Sequence, residues 1–284
     1  MYAVTGITGQ VGGAVARNLL NAGCQVRAVV RDVAKGPAWR DRGCEVVLAD
    51  LSDVAATTGA LRGVEAAFLL IPPLFDPAPG FPEVRSLVAG LRTAILQARP
   101  GRLVCLSTIR AQATQPNLLG QLGLVEDALG DLPLPVAFLR AAWFMENFAG
   151  DVVAARGGRL PSFLQPLGKP VPMVATTDIG RLGASMLQEH WTGRRVVELE
   201  GPARVTPNEV ATAFGKALAH PVEAKILPRD TWEALFRSQG MQNPVPRAQM
   251  LDGFNEGWLE FQGTALKGET AIGSVIGSLI HGAC

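Results

Sequence analysis

The chain has 284 residues, 48% hydrophobic and 18% charged, enough apolar material for one large domain or one domain with a smaller annex. Its 26 basic and 25 acidic residues leave a net charge of +1 with no basic run, which argues against a nucleic-acid-binding surface. No apolar stretch reaches the roughly 20 residues a membrane helix needs and no secretory leader is recognisable, so a cytoplasmic protein with no membrane partner is expected.

The chain opens with an apolar run, Tyr2-Ala3-Val4, followed by Gly6, Gly9 and Gly12. Val11, Val15 and Leu19 then fall at helical spacing. Strand, glycine loop and helix in that order make a dinucleotide cradle. A pyrophosphate reaches backbone N–H groups only where no side chain intervenes, and the helix N-terminus adds partial positive charge. A second strand spans Val26–Val30 and ends in Arg31-Asp32; a third spans Glu45–Ala49 and runs into Asp50-Leu51. Ala66–Ile71 is apolar throughout, as befits a strand buried on both faces, and Pro72-Pro73 stops it. Further along, Glu83–Ala98 reads as a helix, Arg102–Ser107 as a strand, Leu118–Leu129 as a helix and Val136–Arg140 as a strand. This alternation predicts an α/β fold, a doubly wound parallel sheet of Rossmann type, with ligands at the carboxyl ends of the strands.

The second half changes character. Gly157–Val174, rich in Pro and Gly, is expected to be irregular. Thr177–Glu189 reads as a helix and Arg195–Leu199 as a strand. Thr206-Pro207-Asn208-Glu209 carries an N-cap, a proline at the first helical position and a glutamate at the third, so a helix starts there and runs to about Ala219. Val222–Leu227 reads as a strand, and Arg229–Ser238, Arg247–Glu260 and Thr270–Ile280 as helices. The division expected is a dinucleotide-binding domain over 1–150 and a smaller substrate-binding region over 151–284 that shares strands and helices with it. Cys24, Cys44, Cys105 and Cys284 lack metal-ligand spacing, as do His190, His220 and His281, so no metal site is expected. Cys24 and Cys44 precede strands that should be neighbours; free thiols are the expected state, with a thiol pair as the alternative.

The segments TGITGQVG, VRAVVRD, ADLSD, LSTIRA, FLRAAWFMENF and VPMVATTDIGRLGASML resemble the NmrA-like group of atypical short-chain dehydrogenases. The likeness covers nearly the whole chain. The C-terminal WLEFQGTALKGETAIGSVI is nearest to quinone-reductase-like and ergot-alkaloid-reductase-like members. The resemblance implies that Gly6, Thr8, Gly9, Gln10, Val11 and Gly12 hold the pyrophosphate. It places Arg31, assisted by Lys35, against a 2′-phosphate, so NADP(H) is the preferred cofactor. The alternative is NAD(H), its ribose held by Asp32. Asp50 and Leu51 would flank the adenine, and Ile71 and Pro72 the ribose. Ser107, Thr108, Ala142, Trp143 and Phe144 would border the nicotinamide.

The departures from the family matter as much. The only tyrosine is Tyr2, so the Tyr-x-x-x-Lys pair that protonates the substrate of ordinary short-chain dehydrogenases is absent. No basic residue precedes Glu126 in Gly120–Val125. The remaining candidates for proton donor are Ser107, Thr108, Gln121 and water. Trp143, Phe144, Met145 and Phe148 are expected to wall an apolar substrate pocket, with Trp232, Phe236 or Trp258 above it. Two readings follow. The first is an NADPH-dependent oxidoreductase that passes hydride to a small unsaturated acceptor: a quinone, an imine or an activated aromatic. The second is a non-catalytic NAD(P)-sensing regulator that binds a protein partner. A monomer and a homodimer fit the sequence equally.

Overall fold

In the computed structural model, which describes residues 1–282, an eight-stranded parallel sheet carries the rest of the molecule. The first half supplies β1 (Tyr2–Val4), α1 (Gln10–Asn21), β2 (Val26–Val30), α2 (Pro37–Arg40), β3 (Glu45–Leu48), α3 (Val54–Leu61), β4 (Ala66–Leu69), α4 (Pro82–Ala98), β5 (Leu103–Thr108), α5 (Gly120–Leu129) and β6 (Val136–Ala141). The second half supplies β7 (Trp143–Phe144), α6 (Val152–Arg156), β8 (Arg159–Ser162), β9 (Met173–Val174), α7 (Thr176–Gln188), β10 (Arg194–Glu200), α8 (Pro207–Leu218), β11 (Glu223–Ile226), α9 (Trp232–Ser238), α10 (Val245–Glu256), β12 (Leu266–Lys267) and α11 (Ile272–His281).

The large sheet has the order β12-β10-β6-β5-β4-β1-β2-β3. The winding direction reverses between β1 and β4, and in open parallel sheets that reversal opens a crevice at the strands' carboxyl ends. Period-2 alternation divides the core. Val4, Phe68 and Val104 lie on the face covered by α1 and α7, whereas Ala3, Leu69 and Cys105 lie on the face covered by α3, α4 and α5. Phe68 is fully buried; truncating such a side chain to alanine costs about 3–5 kcal/mol.

Local chemistry sets the ends of the elements. β4 stops at Leu69 rather than Ile71, because the Leu70 N–H donates to Thr5 Oγ1 at 2.8 Å instead of continuing the ladder. Helix α8 begins as expected: the Glu209 N–H donates to Thr206 Oγ1 at 3.1 Å, and the Glu209 carboxylate accepts the Thr206 N–H at 2.8 Å. Helix α10 ends at Glu256, short of the expected Glu260, because Gly257 turns left-handed at φ 93°. The segment Gly157–Val174 is not wholly irregular: β8 pairs in parallel with β11, and β9 with β7. Its prolines and glycines fall largely between those short strands. Cys24, Cys44 and Cys105 are free thiols, and burial pushes those of Cys44 and Cys105 up; Cys284 lies outside the described residues. Among the described residues no helix is long and apolar enough to cross a membrane.

Candidate functional site

The glycine loop lies at the switch point. Gly6 has φ 61°, a left-handed turn that glycine adopts without strain, and it packs under the Leu70 side chain. Gly12 lies against the Gly6 carbonyl and the Ile7 nitrogen, so a Cβ there would overlap backbone. Gly9 differs: a Cβ built on it touches only the Gly6 oxygen, at 3.4 Å, and otherwise faces open space. Gly9 is also the N-cap of α1 and supplies no side-chain cap. The first intrahelical bond is Gly13 N–H to Gly9 C=O, so the N–H groups of Gln10, Val11 and Gly12 have no helical acceptor. Thr8, Gly9 and Gln10 are exposed, while the Val11 side chain is in the core, leaving that residue only its backbone to offer. Uncapped N–H groups at an open helix N-terminus fit a pyrophosphate.

Arg31 and Lys35 are exposed beyond the end of β2. Asp50 sits near Arg31. Hydrogen bonds from the Ser52 N–H and hydroxyl hold its carboxyl below the usual carboxylate range, and the Arg31 charge adds to the effect. Asp32, the alternative reader of the ribose, is occupied locally: its Oδ1 accepts the Ala34 N–H at 2.9 Å as the cap of a short 3-10 turn. Leu51 is half-buried beside Asp50, Ile71 is buried, and Pro72 is exposed.

A cavity of about 620 Å³ opens at the carboxyl ends of β4, β5 and β6. Leu70 and Ile71 line it from β4's end, Ser107 and Thr108 from β5, and Ala142, Trp143, Phe144 and Phe148 from the segment after β6. Leu70 also packs on Gly6, so the cavity and the glycine loop share a wall. The segment between β4 and α4 roofs it with Pro73 and Phe75. That roof is pinned twice: Gln121 Oε1 accepts the Leu74 N–H at 3.1 Å while its Nε2 donates to Leu74 C=O at 2.8 Å, and Asp76 accepts the N–H groups of Gln242 and Asn243 at 2.8 and 2.6 Å.

The polar groups of the cavity have distinct situations. The Ser107 hydroxyl donates to Glu126 Oε1 at 2.6 Å. Glu126 is held in turn by Arg140 (Nε at 2.9 Å, Nη2 at 2.8 Å) and by Arg194 at 3.1 Å. The Ser107 proton therefore points into a buried ion-paired network. Thr108, on the same wall, has no side-chain hydrogen bond among the described residues. Asp151 also lines the cavity, and burial pushes its carboxyl up to about 6. Nothing in its sequence neighbourhood, Ala149-Gly150-Asp151, distinguishes it from a solvated acid.

Several expected site residues lie elsewhere. The Met145 side chain is turned into the core toward Gly201, away from the cavity. Trp232 and Phe236 are fully buried in a small separate cluster with Ala248 and Leu251, behind the cavity wall. The Trp258 ring packs against Gly253 and its Nε1–H donates to Glu256 at 3.0 Å, so it does not line the cavity. Aromatic character alone does not separate a wall from the packing behind it. The Gln121 carboxamide is committed at both ends to Leu74, which removes it as a proton donor. The Tyr2 hydroxyl donates to Glu65 at 3.2 Å at the amino ends of β1 and β4, the opposite end of these strands from the glycine loop.

Residues 6–158 match the model of a family described as NAD(P)H-binding. The chain is 26% identical over 250 residues to an NAD(P)H azoreductase from Xenophilus azovorans, spanning 87% of this chain and 84% of that protein. It is 28% identical over 254 residues to quinone oxidoreductase 2 of Escherichia coli strain K12, spanning 88% of this chain and 85% of the relative. The crystal structure of an NADPH-dependent quinone oxidoreductase from Escherichia coli complexed with NADPH superimposes with a TM-score of 0.81 at 25% identity, covering 98% of this chain and 99% of that one.

Proposed function

The chain belongs to the NAD(P)H-binding family, as an NmrA-like member, and on that premise we propose that it is an NADPH-dependent reductase of small unsaturated acceptors: quinones, imines or activated aromatics. The observation that carries the reading is the shared Leu70 wall, which joins the glycine loop to a largely apolar cavity at the strand ends. The similarity to a quinone oxidoreductase and an azoreductase supports the acceptor class. NADPH is preferred over NADH because Arg31 and Lys35 stand free beyond β2 while Asp32 caps its own turn.

Bound NADPH supplies the hydride. The protein binds and orients both reactants. Uncapped N–H groups at the start of α1 would hold the pyrophosphate, and the Arg31 guanidinium would hold the 2′-phosphate. The walls from Leu70, Trp143, Phe144 and Phe148 hold a planar acceptor and exclude water. Such acceptors accept hydride without concerted strong protonation, so a side-chain acid of the Tyr-Lys kind is dispensable, and the proton comes from Thr108, Asp151 or water. The test is NADPH oxidation, followed at 340 nm, against a panel of quinones, imines and aldehydes, with NADH in parallel. Turnover of quinones or imines with a preference for NADPH is expected. Tight dinucleotide binding with no turnover on any of them would overturn the reading in favour of a dinucleotide sensor.

A further inference from the structure

The cavity holds a cation that no acid among the described residues pairs with. Arg247, in the first turn of α10, lines it and is half-buried. Its guanidinium carbon lies 4.3 Å from the Phe236 ring centroid, and Nη1 is 3.6 Å from the Met241 sulfur. It makes no ion pair among the described residues. Other shielded arginines do: Arg102 pairs with Glu65 at 2.7 Å and Arg140 with Glu126 at 2.8 Å. Asp151, the other titratable group lining the cavity, makes no hydrogen bond or ion pair with it among the described residues, and burial pulls the Arg247 pKa down. A half-buried cation is costly unless paired, and a π face with a thioether repays only part of that cost.

We propose that Arg247 is the receptor for an anionic substituent on the acceptor, so that the substrates of this protein are planar quinonoid or aromatic molecules carrying a carboxylate, sulfonate or phosphate. The inference rests on the reductase reading for the role of the cavity. Its own content is the charge of the ligand. A planar fork suits all three oxyanions, and an entering anion replaces water that the apolar walls already partly exclude. A cavity of about 620 Å³ holds a bicyclic ring with one such substituent. Phe236 and Met241 keep the guanidinium in place before the ligand arrives, which reduces the ordering cost of binding.

The test compares naphthalene-2-sulfonate with its neutral isostere naphthalene-2-sulfonamide, by calorimetry on the full chain loaded with NADP⁺. The wild type is expected to bind the sulfonate roughly 10- to 100-fold more tightly than the sulfonamide. Arg247→Gln should remove that preference and leave the sulfonamide within about threefold of wild type. Arg247→Lys, which keeps the charge without the fork, should fall between them. Equal binding of the two probes by wild type, no binding of the sulfonate, or an Arg247→Gln variant that weakens both probes alike would overturn the proposal. A parallel assay with 1,2-naphthoquinone and 1,2-naphthoquinone-4-sulfonate separates the two readings. Turnover of the neutral quinone with no sulfonate preference in binding refutes the anion receptor alone. Arg247-dependent sulfonate binding without turnover of either quinone or of any acceptor in the panel above refutes the reductase alone.

Discussion

Gly9 and Gly12 stand one helical turn apart, yet their substitution should fail in opposite ways. Gly9 has φ −96° and ψ −179°, extended backbone that any residue adopts, and a Cβ there meets only the Gly6 oxygen at ordinary contact distance. Gly9→Val should therefore cost under about 1 kcal/mol of stability, the scale of an N-cap change. Its branched side chain would stand before the uncapped N–H groups of Gln10, Val11 and Gly12. Losing two charge-assisted hydrogen bonds, at about 1.5–3 kcal/mol each, weakens dinucleotide binding at least about 100-fold. Gly12→Ala is the converse, because its Cβ would collide with the Gly6 carbonyl and the Ile7 nitrogen, backbone that cannot swing aside. That substitution should cost about 1–3 kcal/mol and lower Tm by several degrees. NADPH titration by fluorescence and a melting curve on each variant give both quantities. Wild-type affinity in a folded Gly9→Val, or a Gly12→Ala as stable as wild type, would refute the geometry of the loop.

Arg31→Ala should weaken NADPH by roughly 10- to 100-fold and leave NADH nearly unchanged, because only the 2′-phosphate makes a charge-assisted bond; equal loss for both cofactors would show that the ribose is read elsewhere. Ser107→Ala should retain much of the activity, since the hydroxyl proton is already given to Glu126, and Thr108→Ala should do the same if water can replace it; a loss of several orders of magnitude in either variant would identify a dedicated donor. Asp151 predicts a pH effect on stability. Folded Asp151 keeps its proton to about pH 6 against a reference of 3.8, so the native state binds more protons than the unfolded chain in that window, and stability falls as pH rises through it. Asp151→Asn should flatten the profile and stabilise the protein at pH 7 by about 1–3 kcal/mol, read from urea unfolding at pH 4 and pH 7. A variant with the wild-type pH profile would show that the carboxyl is solvated.

What could be read from the sequence was local. Tyr2-Ala3-Val4, three glycines and Val11, Val15 and Leu19 specify a strand, loop and helix whose signals all lie within a single stretch of chain. The capping box of Thr206 and Glu209 is equally self-contained. What escaped was assembled from distant segments. Asp151 follows the turn after β7, and Arg247 opens α10; they share a wall only because the sheet and α10 bring them there. Trp232 and Phe236 failed as wall residues for the same reason, since composition gives an aromatic's appetite for burial but not which side of a cavity it faces. β8 was hard to see because a four-residue strand carries too little alternation to outweigh the surrounding Pro and Gly, whereas its partner β11 falls within the expected strand Val222–Leu227.

The sheet order also bears on how the chain is made. β6 is flanked by β5, already synthesised when it emerges, and by β10, whose Arg194–Leu199 pair with Val136–Ala141. Until α7 and β10 leave the ribosome, the nascent chain carries, besides the edge at β3, an open edge of unpaired N–H and C=O groups beside the apolar Val136, Phe138 and Leu139. Such an edge recruits any extended strand that meets it. A chain stopped at residue 158, where the family match ends, would keep that edge permanently and pair with its own copies. The nucleotide cradle is complete early in synthesis, but protection from aggregation arrives only with β10, and a chaperone that shields β6 in the interval would raise the yield of folded protein.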